Sequence, residues 1–211
     1  MTGTEHLDAL HRAHRRRARI MLALMGVAVA ALVVRAVVGS RGGGLGTVLV
    51  VGAVAAGVAA VAMLVMSRTT SDRHGAVRAL RPQSEVVEVW GAAGLRAALV
   101  AEGVADPPVR RTQGTALTMT VTTAGVELWA GGAQPQKVWA SGWGAVERVG
   151  EGAGVVANDG AKPAVVLLTR AGNTLVLLPA RRPTGSIRTA GVPEVRALVG
   201  RLERLRAEAH V

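Results

Sequence analysis

The chain has 211 residues and a formal net charge of +11, with 25 basic and 14 acidic side chains. It has four Trp and no Phe or Tyr, so a soluble core must be built from Val, Leu and Ala, with Trp129, Trp139 and Trp143 as aromatic anchors. Cysteine is absent, which excludes a disulfide framework, a thiolate zinc site and a thiol nucleophile. A chain of this length holds one soluble domain in addition to a membrane segment.

Two uninterrupted apolar stretches, residues 20–38 and 45–66, follow the N-terminal tail and are separated by a glycine-rich hexapeptide. At about 1.5 Å of rise per residue they reach about 28 and about 33 Å, which matches the roughly 30 Å hydrocarbon core of a bilayer. The pattern predicts a transmembrane helical hairpin over residues 20–66. Small residues recur four apart in both stretches, so we expect that face to pack the two helices together or to mediate self-association.

The excess positive charge lies beside these stretches. Arginines cluster in the tail, residues 1–19, and again directly after the second stretch, whereas the intervening turn holds Arg41 with Arg35 nearby. This positive-inside pattern predicts a multi-pass protein of the bacterial inner (plasma) membrane with both termini in the cytoplasm. The bacterial source follows from the preference for Arg over Lys, which is typical of GC-rich genomes. We therefore expect the lipid bilayer, and no nucleic acid, as the partner of these basic residues.

A connector over residues 67–114 separates the hairpin from the soluble domain. Apolar residues recur at helical spacing over 86–100, but two glycines lower the helix propensity there by about 1 kcal/mol each. A short strand over 86–90 followed by a helix over 92–102 explains the same residues, so both alternatives stay open. In either case Trp90 is expected to be a packing residue.

From residue 115 to residue 211 the chain changes to short apolar segments with turn signals between them. About seven strands are expected, in the segments TALTMTV, VELWA, KVWAS, AVERVG, GVVAND, PAVVLLTR and TLVLLPA. Gly125 and Gly172 mark tight turns, and Pro193 opens an amphipathic helix over 193–209. The element order predicts an α+β soluble domain, a seven-stranded antiparallel barrel or sandwich capped by the C-terminal helix.

The segment KVWASGWGAVERVG, residues 137–150, has a Trp-bearing strand that leads through a turn into a V-x-x-V strand. With the strand order and the C-terminal helix, it makes residues 115–211 resemble the pleckstrin-homology-like (PH-like) domains of bacterial membrane proteins with an N-terminal transmembrane hairpin. Members that bind phosphoinositides carry basic side chains in the first hairpin turn. Here that turn is Thr123, Ala124 and Gly125, so headgroup recognition of that kind is not expected.

The residues of the domain do not form a catalytic pattern. Four of the five histidines precede residue 115, and the fifth is His210 at the C-terminus, so no Ser, His and acid set can be assigned to the domain interior. We therefore predict that the protein is not an enzyme and has no catalytic residue, metal site or cofactor.

Two basic groups are candidate contacts for lipid or a protein partner. The first lies in the tail beside the inner leaflet and comprises Arg15, Arg16 and Arg17. The second lies in the loop between the last strand and the final helix and comprises Arg181, Arg182 and Arg188. Setting of the membrane topology alone explains the first group, and a solvated loop is the favoured interpretation of the second.

The expected function is that of a non-enzymatic integral membrane protein whose cytoplasmic PH-like domain is a protein-binding or assembly module. One alternative is sensing or handling of anionic lipid through the basic loop. Another is an accessory subunit of a transporter or cell-envelope complex, with the small-residue faces packed against other spans.

Overall fold

The computed structural model describes residues 56–58, 61, 68–109, 114–156, 160–181 and 188–209. The chain divides into two compact units, Met1–Met63 and Leu64–Val211. The four described residues of the first unit are helical. The predicted tail and nearly all of the predicted hairpin lie outside the described residues. Within the described ranges, no helix is both long enough and apolar enough to cross a membrane.

The second unit contains seven strands and three helices in its described part. Helix α1 covers residues 68–80. The strands are β1 Glu85–Gly91, β2 Thr115–Val121, β3 Gly125–Gly131, β4 Pro135–Gly142, β5 Val146–Gly154, β6 Lys162–Thr169 and β7 Thr174–Pro179. The remaining helices are α2 Leu95–Ala101 and α3 Val192–Glu208, and a 3₁₀ turn, Trp143–Ala145, joins β4 to β5.

The strands form one antiparallel sheet in the order β4-β3-β2-β1-β7-β6-β5. Strand β1 joins the two halves of this sheet, because Trp90 aligns with Ala116 of β2 on one side and with Leu178 of β7 on the other. The predicted seven-stranded antiparallel sheet with a C-terminal helix is confirmed. This arrangement is compatible with a PH-like sandwich.

Two strand assignments differ from the expected ones. Strand β1 lies in the predicted connector, so the strand-then-helix alternative is right and the continuous helical stripe is wrong. The segments AVERVG and GVVAND do not form two strands, because β5 runs unbroken over Val146–Gly154. The glycines within β5 allow close packing rather than a turn, since a Cβ on Gly152 would lie 2.5 Å from Val166 Cγ2.

The core lies between the inner sheet face and α3. Alternate strand residues such as Val89, Leu117 and Leu128 are fully buried on that face. Helix α3 contributes a buried aliphatic stripe, Val195, Leu198, Val199 and Leu202. Pro193 lies in its first turn as predicted, where a missing backbone N–H breaks no helical hydrogen bond. Of the three predicted Trp anchors, Trp139 and Trp143 belong to this core, with Trp143 only 1% exposed, whereas Trp129 is buried on the opposite face of the sheet.

Candidate functional site: the polar layer beneath helix α1

Helix α1 packs on the outer face of the sheet through polar side chains. Its buried positions are Thr70, Arg73, His74 and Val77, which recur at the spacing of one helix face. An amphipathic helix ordinarily buries aliphatic residues along such a face, but here Val77 is the one apolar member. The docking of α1 therefore depends on polar contacts rather than on a hydrophobic stripe.

The sheet surface beneath α1 is polar as well. Strand alternation places five side chains on the face opposite the core: Glu88, Thr118, Thr120, Glu127 and Trp129. The register aligns Glu88 with Thr118, and Thr118 with Trp129, across three neighbouring strands. We call these five residues, together with Thr70, Arg73, His74 and Arg81, the polar layer.

Arg73 provides the central contact of the polar layer. Its Nε donates to Thr118 Oγ1 at 2.9 Å, and its Nη1 donates to the carbonyl oxygen of Gly131 at 3.1 Å. Burial lowers the pKa of Arg73, and the negative charge of Glu88 opposes that effect. Arg73 is 3% and Glu88 1% exposed, so a cation and an anion are buried together. Removal of the Arg73 charge takes a favourable charge interaction away from this buried carboxylate.

Arg81, directly after α1, forms a second contact with the sheet. Its Nε and Nη2 donate to the two carboxylate oxygens of Glu127 at 2.9 and 3.0 Å, and its guanidinium lies 5.5 Å from the centroid of the Trp129 ring. Trp129 Nε1 donates to Thr120 Oγ1, which in turn donates to Glu127. The hydrogen bond from Arg81 is the main cause that holds the pKa of Glu127 below its usual value. Lys137 adds a weaker contact at 3.4 Å.

The two arginines fasten α1 along the length of β3. Arg73 reaches Gly131 at the end of β3, and Arg81 reaches Glu127 near its beginning. The eight-residue step from Arg73 to Arg81 spans about 12 Å at helical rise, and the four-residue step from Glu127 to Gly131 spans about 13 Å along a strand. The two contacts are therefore separated by nearly the same distance on both elements. Helix α1 therefore lies antiparallel to β3, with Thr69 beside Gly132, where an added Cβ would be 3.3 Å from Thr69 Cγ2.

His74 is a buried titratable group of this layer. It is 6% exposed, and its Nδ1 has no hydrogen-bond partner among the described residues, a property it shares with Arg73 Nη2 and Glu88 Oε2. Burial is the largest cause that lowers the pKa of His74, followed by the positive charges of Arg78 and Arg73. The imidazole is accordingly neutral at pH 7.

The predicted basic loop is partly described. Arg181 and Arg188 are exposed, and the backbone N–H of Arg181 donates to the carbonyl oxygen of Arg188 at 2.8 Å. Ala180 pairs with Thr189 beside them, so these two predicted contact residues lie together at the base of the loop. The other predicted contact residues, Arg182 and the tail residues Arg15, Arg16 and Arg17, lie outside the described residues.

A second polar cluster surrounds Glu102 at the end of α2. Its Oε1 accepts hydrogen bonds from Thr169 Oγ1 at 2.6 Å and Asn173 Nδ2 at 2.7 Å, and Trp139 Nε1 donates to Oε2 at 3.5 Å. Burial acts to raise the pKa of Glu102, but the three hydrogen bonds together hold it below its usual value. An open cleft of about 300 Å³ adjoins it, with Lys137 on its wall. Because its carboxylate is engaged by β4 and by the β6–β7 turn, Glu102 acts as a tie between elements.

Arg73 and Arg81 belong to the basic cluster that follows the second apolar stretch, so their place in the sequence predicts charges that flank a membrane span and not the polar layer. The available signal was the helical spacing of positions 70, 73, 74, 77 and 81, which a search for apolar periodicity does not detect. In the described part of the chain, no group of three or more His, Asp or Glu side chains is placed to hold a metal ion. Among known proteins, no family model matches the chain, and no curated protein is significantly similar to it.

Proposed function

We propose that this protein is a non-enzymatic integral protein of the bacterial inner membrane, with a cytoplasmic PH-like domain that serves as a protein-binding or assembly module. The observation that carries the proposal is the attachment of α1. Helix α1 is described from residue 68, and the predicted second span ends at residue 66. Arg73 and Arg81 fasten α1, the first described helix of this domain, to the sheet at two points.

A preorganised surface suits an assembly module, because less conformational freedom is lost when a partner binds. Strand β4 is one candidate surface, since it is an edge strand that pairs only with β3 in the described sheet. Edge strands expose backbone hydrogen-bonding groups that an extended segment of another protein can use. Nonspecific pairing of this edge with other chains is limited by the charge of Lys137 and by the irregular register between Leu128 and Trp129.

Contact with anionic lipid is the second candidate function. It is favoured by the backbone pairing that holds Arg181 and Arg188 at one exposed place. Each arginine close to an anionic membrane surface contributes about 1 kcal/mol of attraction. This contact would be sensitive to salt, whereas strand pairing at β4 would be much less so.

Site-specific photocrosslinking in native membranes distinguishes the two functions. A photoreactive amino acid is placed in the full-length protein at Ala140 of β4 or at Arg181, with the exposed Val100 of α2 as the matched control position. The assembly function predicts one reproducible protein adduct from position 140 that position 100 does not give. Lipid adducts from position 181, with no protein adduct from position 140, would favour lipid contact and contradict the assembly function at this edge.

A further inference from the structure

We infer that α1 is a releasable helix, and that protonation of His74 detaches it from the outer face of the sheet. The inference concerns the polar layer alone and does not depend on which partner the domain binds. Its basis is the charge balance of the layer together with the burial of an imidazole that has an unpartnered nitrogen.

In the described part of the chain no carboxylate is placed to stabilise an imidazolium ion, because the charges that act on His74 are those of Arg78 and Arg73. The packed elements carry the following charged groups: Arg68, Asp72, Arg73, Arg78 and Arg81 in the α1 segment, Glu85 and Glu88 in β1, Glu127 in β3 and Lys137 in β4; β2 contributes the neutral Thr118 and Thr120. Asp72 is exposed, and Glu85 pairs with Arg201 of α3. Glu127 already receives Arg81 and Lys137, and Glu88 faces Arg73. A protonated His74 would add a further buried cation to a layer in which two carboxylates already face three cations.

Release of α1 does not require the domain to unfold. The residues that hold the sheet together, such as Val89, Leu117 and Leu128, lie on the opposite face and keep their packing. The surface exposed by release carries threonines, two carboxylates and Trp129, and water can solvate most of these groups. An interface built from aliphatic residues would resist separation much more strongly.

The direction of the pH dependence follows from the environment of His74. Its pKa in the docked state lies below the ordinary value of 6.5, so the neutral form favours docking. As the pH falls below 6.5, the undocked state binds the proton first, and the opening constant approaches a tenfold rise per pH unit until the docked state is also protonated. The pKa of Glu127 is held below 4.5, so its carboxylate stays ionised over this pH range. Its contact with Arg81 therefore does not change with pH.

Alkylation of a buried thiol measures the release in the full-length protein in membrane vesicles. The chain has no cysteine of its own, so Val77→Cys, which is fully buried in α1, serves as a clean reporter. Leu80→Cys is the matched control, because it lies on the same helix and is 54% exposed. The ratio of their alkylation rates cancels the pH dependence of thiol ionisation. We expect that ratio to rise several-fold between about pH 7.5 and about pH 5.5.

The variant His74→Gln tests whether His74 causes the pH dependence of this ratio, since glutamine keeps the size and hydrogen-bonding capacity of the side chain but does not titrate in this range. We expect a flat ratio in this variant. A flat ratio with native His74, or an equal rise in His74→Gln, would overturn the inference. Hydrogen exchange in the parent protein provides a measurement that needs no substitution: after correction for intrinsic rates, α1 amides should lose protection on acidification while α3 amides do not. Equal loss in both helices would also overturn it.

Discussion

Arg73 Nε donates a 2.9 Å hydrogen bond to Thr118 Oγ1, although 45 positions separate the two residues in the chain. This bond connects the helix that enters the domain to the second strand of the sheet. It is buried, and it lies beside the carboxylate of Glu88. The most direct test of the polar layer is therefore removal of this one guanidinium.

Arg73→Met should lower the free energy of unfolding by about 3–5 kcal/mol, because the substitution keeps the apolar stem but removes a buried cation, its hydrogen bonds to Thr118 and Gly131 and its attraction to the buried carboxylate of Glu88. The measurement is urea unfolding of the full-length protein in detergent, monitored by circular dichroism. Arg78→Met is the matched control on the exposed side of α1 and should change stability by less than about 0.5 kcal/mol. Equal effects of the two substitutions would contradict a buried charge pair.

Glu102→Gln should destabilise the protein by about 1–2 kcal/mol at pH 7, since the charged acceptor of three hydrogen bonds is lost at a partly exposed site. The pKa of Glu102 is lowered by folding, so its contribution is present above the ordinary value of 4.5 and is lost as the pH falls through the folded pKa. The free energies of unfolding of Glu102→Gln and the parent should therefore converge as the pH falls through the folded pKa of Glu102. The exposed Glu203→Gln serves as control, and a difference that persists undiminished at low pH would refute the assigned cause.

Gly125→Ala should destabilise the domain by at least about 2 kcal/mol, because its Cβ would lie 2.1 Å from the backbone oxygen of Ser141. Backbone cannot rotate away as a side chain does, so the start of β3 would have to separate from the end of β4. Gly150→Ala in β5 is the matched control, since it meets nothing within 4 Å. Thermal unfolding of both variants tests the close approach, and equal melting temperatures would rule it out.

Gly200→Ala should stabilise the domain by about 0.5–1 kcal/mol. This glycine lies inside α3, where an added Cβ meets nothing within 4 Å, so alanine gains helix propensity without a clash. A rise in the melting temperature is the expected readout. A fall would show that α3 packs against a surface not accounted for by its buried stripe.

The sheet domain could be predicted in outline because its residues obey simple periodic rules. The stripe of α3 is aliphatic at helical spacing, and the hairpin at Gly125 has a turn signal between two apolar runs. Strand β5 is continuous, although its sequence predicts two segments. Gly152 accommodates Val166 of β6, and Gly154 accommodates Leu178 and Val176 of β7.

The polar layer could not be predicted in the same way. Arg73 and His74 are residue types that ordinarily face water, so a pattern search assigns them to a solvated surface. Their burial depends on Glu88 and Thr118, which enter the layer only after β1 has paired with β2. The position of β1 was itself one of two open alternatives, and the interface between α1 and the sheet could not be deduced before that choice was made.

The placement of β1 between β2 and β7 has a kinetic consequence. During synthesis β1 emerges first and can pair with β2, but its other edge must wait for β7, which is made near the end of the chain. Pairings this distant in sequence close large loops and form slowly. A nascent chain that has reached only β6 therefore exposes one edge of β1. A chaperone, or another incomplete copy of the chain, can bind at this edge.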